Sequence, residues 1–116
     1  MYIMKKLTKL FALALALSVS LNVNAAGSTG ISKISGVGFN TGGFYLYGDN
    51  WANPNNCTET GVMVLKDTDS NYDKAYSLLL AAYTSGKEVY GLSDGCITHD
   101  GKTYNTIRGF KYLVVR

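Results

Sequence analysis

Histidine, proline and tryptophan occur once each in this 116-residue chain, cysteine twice, and positive charge forms no run beyond the first nine residues. Two cysteines and one histidine fall short of the four ligands of a structural zinc site. The single histidine, His99, stands beside Asp100 in a turn, where adjacent side chains point apart and the Asp-Gly pair has its own conformational role. A catalytic dyad would also need a nucleophile within hydrogen-bond reach. The eight acidic residues are scattered, with no pair assignable to one face as glycoside hydrolysis requires. Asp67, Asp69 and Asp73 lack the Asp-x-Asp-x-Asp-Gly spacing of a calcium loop, and Asp73 has a capping role of its own. No catalytic residue, metal or cofactor is therefore expected, and a small hydrolase is the weakest of the functional readings.

The charge balance changes once the first 25 residues are set aside. Lys5, Lys6 and Lys9 form a basic start, residues 10–21 are apolar but too short to span a bilayer, and Val23-Asn24-Ala25 has the small residues of a cleavage site. A signal peptide cut after Ala25 is the expectation, against an uncleaved membrane anchor as the alternative. The formal net charge of +3 contains those three leader lysines, so the remaining eight basic residues balance eight acidic ones. An electrostatic footprint for nucleic acid is missing. No nucleic-acid partner and no stable membrane insertion are expected, and the location is secreted or periplasmic.

Residues 26–116 are enough for one small domain with a modest core. Small exported domains often add disulfides, and Cys57 and Cys96 both lie in this part. One intramolecular bridge is expected, with a metal site or a free thiol pair as the competing readings.

The centre of the chain is a helix over residues 71–85. Ser70 and Asp73 resemble a capping box. Tyr72, Tyr76, Leu79, Leu80 and Tyr83 recur at three- and four-residue spacing, widened by Leu78, Ala81 and Ala82. Gly86 suits the left-handed position that ends a helix, with Lys87 at its negative end. Around it the sequence predicts five strands. Residues 31–39 alternate imperfectly, with Gly36 and Gly38 marking a bulge or coil, and residues 44–48 (FYLYG) are aromatic and strand-prone. Residues 61–66 are nearly continuously apolar, as in a strand buried on both sides. Residues 87–92 form a fourth strand, and 106–116 a last one with Ile107, Phe110, Tyr112 and Val114 as core candidates. His99-Asp100-Gly101-Lys102 reads as a hairpin tip. Residues 49–58 (DNWANPNNCT) are a loop with an exposed-looking Trp51, whose Asn56-Cys57-Thr58 matches a glycosylation acceptor pattern only incidentally. Three strands, a helix and two strands match a five-stranded, OB-fold-like Greek-key barrel, mainly β with one helix. Other small α+β sheets share that order.

The same residues carry a resemblance. A leader precedes an Ile-x-x-Ile strand and a cysteine-bearing loop. NYDKAYSLLLAAYTSGKEV, a second cysteine in DGC and a final IRGFKYLVV follow. This resembles the B subunits of bacterial A–B pentamer toxins, in the subtilase-cytotoxin and pertussis-like branch, and small exported proteins similar to them. The likeness runs over residues 31–115, with LLLAAYTSGKEV its most specific piece. It implies an OB-fold, a disulfide, a homopentamer, a toxin A subunit as partner, and binding of cell-surface glycans.

The residues themselves offer one candidate ligand surface. Tyr45 and Tyr47 share a strand face, opposite Phe44 and Leu46, and Asp49, Asn50 and Trp51 follow directly, with Asn53 and Asn55 beyond. Flat aromatic faces beside amides and carboxylates suit the C–H faces and hydroxyls of a sugar. The competing reading packs the two tyrosines against a neighbouring strand or subunit. An exported, non-enzymatic glycan-binding module is the first functional expectation. A standalone OB-fold domain that binds a protein partner is the alternative.

Overall fold

The computed structural model describes residues 27–116, so the expected signal peptide and the cleavage site expected after Ala25 lie outside the described residues. Eight short strands and one helix follow in the order β1 (Gly27–Lys33), β2 (Gly36–Asn40), β3 (Gly43–Tyr47), β4 (Val62–Lys66), α1 (Tyr72–Ser85), β5 (Glu88–Ser93), β6 (Cys96–His99), β7 (Lys102–Thr106) and β8 (Val114–Val115). They make two sheets, ordered β1-β5-β8 and β2-β3-β4-β7-β6. The β4–β7 pair is parallel and the other pairs are antiparallel. Among the described residues the fold is mainly β with a single helix and a disulfide, but the five strands predicted do not form a closed barrel.

The five expected strands become eight among the described residues. The first strand is interrupted at Ile34 and Ser35, so β1 joins the small sheet and β2 the large one. Asp94 and Gly95 end β5 close to where the predicted fourth strand stops, and β6 with most of β7 lies outside the five predicted strands. The predicted last strand, 106–116, is mostly irregular. Its start belongs to β7, its end is the two-residue β8 against β5, and the chain between crosses from one sheet to the other. Of its four core candidates only Ile107 is buried, whereas Phe110, Tyr112 and Val114 are exposed. Leu113 and Val115 pack on the core instead.

A bulge explains another departure. Gly30 sits at φ +72° where the β1–β5 register slips between Ser28 and Ile31. One extra residue turns every later side chain to the other face. Ile31 consequently faces out, and Thr29 and Ser32 face in. Both hydroxyls are satisfied there: Thr29 accepts the Gly91 N–H at 3.0 Å and Ser32 donates to the Lys33 carbonyl at 2.8 Å.

The main core joins Phe44, Leu46, Met63 and Leu65 of β3 and β4 to Ala75, Leu79 and Ala82 of α1, with Trp51, Val89 and Ile107. The helix thus faces the sheet with Ala75, Leu79 and Ala82, Tyr72 and Tyr76 packing beside them, while Leu78 and Tyr83 stay outside. A smaller cluster of Tyr45, Val62 and Val64, flanked by Ile97 and Tyr104, covers the reverse face of the large sheet. That is why Val62 to Leu65 are buried on both sides, as the apolar run predicted. The expected capping box does not form. Asn71 is the N-cap without a side-chain cap bond, and Asp69 accepts the Asn71 N–H at 2.8 Å. Gly86, at φ 68°, does take the left-handed position.

The Cys57–Cys96 disulfide is present, with Cα atoms 5.9 Å apart and a sequence separation of 39. It ties the 49–58 loop to β6. Disulfides persist in oxidising compartments, consistent with an extracellular or periplasmic location. Among the described residues no helix is long and apolar enough to cross a membrane.

Candidate binding cleft

The sequence-predicted surface does not come together. Tyr45 is 1% exposed, its ring 5.4 Å from that of Tyr104 and its hydroxyl donating to the Thr41 carbonyl at 2.8 Å. Burial, and next the neighbouring Tyr104, push its hydroxyl pKa up. Trp51, expected at the surface, is 8% exposed within the main core. Both residues are corrected from ligand surface to interior: Tyr45 because β3 has core on each face, and Trp51 because its ring joins the main core and its indole bonds the Leu46 carbonyl. Tyr47, Asp49 and Asn50 remain exposed. The loop asparagines are engaged internally. Asn53 Oδ1 accepts the Cys57 N–H and an Asn105 amide hydrogen, and Asn55 Nδ2 donates to Ser93 and to Asn105. His99 Nε2 and Asp100 Oδ2 are 3.4 Å apart, closer than side chains pointing apart would be.

A different place gathers convergent polar groups beside an exposed ring. It is a cleft of about 320 Å3 between the 67–70 turn, the β5–β6 turn and the chain leaving β7. Lys66 ends β4, and Thr68 and Ser70 present hydroxyls from the turn that leads to α1. Asp94 stands in the turn that separates β5 from β6. Arg108 and Phe110 follow β7, set on opposite sides of Gly109.

Arg108 makes two parallel bonds to Asp94, Nε donating to Oδ2 at 2.7 Å and Nη2 to Oδ1. This paired geometry orients both groups. The Arg108 bond holds the Asp94 carboxyl below the usual carboxylate range, and the charges of Arg108 and Lys66 act in the same direction. The guanidinium carbon lies 5.5 Å from the centre of the Phe110 ring. Phe110 is 53% exposed, far more than a core phenylalanine.

What holds the cleft open is a close approach behind it. Asp69 Oδ2 accepts the Gly109 N–H at 2.8 Å, and Asn71 Nδ2 donates to the Gly109 carbonyl at 2.8 Å. A Cβ at Gly109 would lie 2.7 Å from the Ala75 Cβ, so this position has no room for a side chain. The backbone between Arg108 and Phe110 is thereby clamped to the start of the helix, and both side chains turn towards the cleft.

Chemically, the arrangement offers an exposed aromatic face, an oriented carboxylate, two cations and two hydroxyls. These are hydrogen-bond acceptors and donors around an apolar platform. Sequence reasoning missed the cleft by reading 106–116 as one strand. The available signal was Gly109, since a glycine inside a strand pattern often marks a bend or a close backbone approach. Comparison with protein-family models, with curated proteins and with solved structures finds no match for this chain.

Proposed function

We propose that this chain is an exported, non-enzymatic binding module, similar to the B subunit of an A–B pentamer toxin, that assembles as a homo-oligomer and binds cell-surface glycans. The observation that carries the binding part is the cleft built on Phe110 and the Arg108–Asp94 pair. A sugar ring has C–H faces that settle on an exposed aromatic, and hydroxyls that both donate to a carboxylate and accept from a cation. Asp94 and Arg108 supply that pair of roles beside Phe110, the guanidinium lying over one face of the ring, with Lys66, Thr68 and Ser70 around the rim.

The strand pairing supports the finer fold assignment. If β1 and β2 are counted as one bent strand and β5 and β6 as another, neighbouring strands run around five and return to the first. Such an order favours a Greek-key, OB-like arrangement, although the hydrogen bonding is divided between two sheets. The disulfide supports a secreted or periplasmic site of action. A toxin A subunit as partner, and five copies per ring, rest on the resemblance of residues 31–115.

The test is a glycan array probed with the mature protein and with Phe110→Ala and Asp94→Ala. Binding that falls by tenfold or more in both variants, with unchanged circular dichroism, supports the reading. An identical glycan profile in all three proteins removes the cleft as the site. Light scattering of the same samples checks assembly, and a monomeric mass sinks the ring.

A further inference from the structure

We propose that the groove between α1 and residues 109–113 is a docking site for an acidic, apolar-anchored peptide segment of a protein partner. The groove shares Phe110 with the cleft described above but opens against the helix, and the proposal does not require that cleft to bind a glycan. It holds about 280 Å3, lined by Lys74 and Leu78 on the helix and by Phe110, Lys111 and Tyr112 opposite. Lys74 and Leu78 are four residues apart and so share a helix face.

Three large apolar side chains stay in water at this one place. Leu78 is 41% exposed and Tyr112 61%, with Phe110 between them and the cleft. Tyr112 is also held at φ +58°, in the left-handed region that a bulky residue enters only at an energetic cost. The fold imposes it from both sides. Upstream, Gly109 is fastened to Asp69 and Asn71, and downstream Leu113 packs on the core before β8 pairs with β5. The segment therefore displays its aromatics in a set position rather than collapsing them onto the core.

Charge selects the occupant. The groove's charged side chains are Lys74 and Lys111, with the Lys111 ammonium 5.1 Å from the Tyr112 ring centre. Lys74 also borders Asp67, Asp69 and Asp73 at the start of the helix, of which Asp69 already accepts N–H bonds on both oxygens. A segment carrying Asp or Glu on either side of one apolar residue meets both cations while its anchor fills the space between Leu78 and Tyr112. At about 280 Å3 the groove falls just short of the roughly 300–1,000 Å3 of small-molecule pockets. Its concavity suits an inserted side chain better than the flat surface of a bilayer.

Panning a random-peptide phage library on the mature, disulfide-intact protein tests this. The expected outcome is a consensus with one Leu, Phe or Trp flanked by Asp or Glu. A synthetic peptide of that consensus should bind at least tenfold more weakly to Leu78→Ser and to the Lys74→Glu/Lys111→Glu double variant. Panning on that double variant should turn the flanking residues to Lys or Arg. All three are surface positions, and thermal melts verify that the variants fold. No consensus, a consensus indifferent to the charge reversal, or enrichment of basic sequences on the unaltered protein overturns the proposal. So does either of two reassignments. One is charge-reversal-sensitive binding to phosphatidylglycerol vesicles in place of peptide, and the other is loss of self-association as the main effect of the double variant.

Discussion

The indole Nε1 of Trp51 donates to the backbone carbonyl of Leu46 at 3.1 Å, which pins the 49–58 loop to the strand it has just left. The ring closes the end of the main core, and the neighbouring Gly48 is so near that a Cβ there would lie 2.6 Å from the same Nε1. Trp51 thus links loop and core. Trp51→Ala should lower unfolding stability by about 3–5 kcal/mol, as for other large-to-small core changes. Urea denaturation measures this. A loss of ligand binding at full stability would instead return Trp51 to the binding surface.

The disulfide constrains a long loop. Replacing Cys57 and Cys96 by serine should cost about 4 kcal/mol, from the chain entropy that a 39-residue separation returns to the unfolded state. Guanidinium titrations of the oxidised, reduced and double-serine proteins check it. Reduced and double-serine forms should agree, since both lack the same cross-link.

Gly109 positions both the cleft and the groove. Gly109→Ala forces a methyl against Ala75 and Leu65, and overpacking of this kind costs about 1–3 kcal/mol. The variant should melt earlier and lose cleft and groove binding together. Selective loss of one alone would mean that the two are not held by this contact.

Acid should act on the cleft through Asp94, whose pKa is lowered chiefly by the Arg108 hydrogen bond. A group with a depressed folded pKa contributes stability above its unfolded value, about 3.9 for aspartate, and loses it as pH falls through the folded value. The urea midpoint of the native protein should therefore exceed that of Asp94→Asn near neutrality, with the gap closing below about pH 4. The gap should be small, because this pair is half exposed and screened by salt.

Alkali should act through Tyr45 and Tyr72. Burial raises both hydroxyls above their ordinary value, helped in Tyr45 by Tyr104 and in Tyr72 by Asp67. A raised folded pKa contributes stability below about pH 10 that disappears as pH rises past it. Tyr45→Phe should lose about 1 kcal/mol at neutral pH with the Thr41 bond, and should show a shallower decline above pH 10. Equal slopes for both proteins would place the alkaline transition elsewhere.

Local pattern alone was sufficient for several elements. The helix and its Gly86 stop follow from three- and four-residue spacing and one left-handed position. The doubly buried β4 follows from an unbroken apolar run, and the hairpin at Asp100-Gly101 from a pair that tolerates positive φ at both residues. Cys57 and Cys96 had no other cysteine to pair with. In each case the determining interaction lies within a few residues, or the alternatives are very few.

What only the tertiary structure decided depends on contacts between distant segments. Tyr45 and Tyr47 alternate correctly on one strand face, yet whether that face meets water depends on Tyr104 and Ile97, fifty or more residues later. A single bulge at Gly30 exchanged Ile31 for Ser32 in the interior, and no periodicity survives such a slip. Arg108 and Phe110 sit in a stretch that alternates like a strand. They reach the cleft because Asp69 and Asn71, forty residues earlier in the chain, hold Gly109 against the helix. Side-chain period determines which residues share a face, and only the packing of remote segments determines which faces remain open to a ligand.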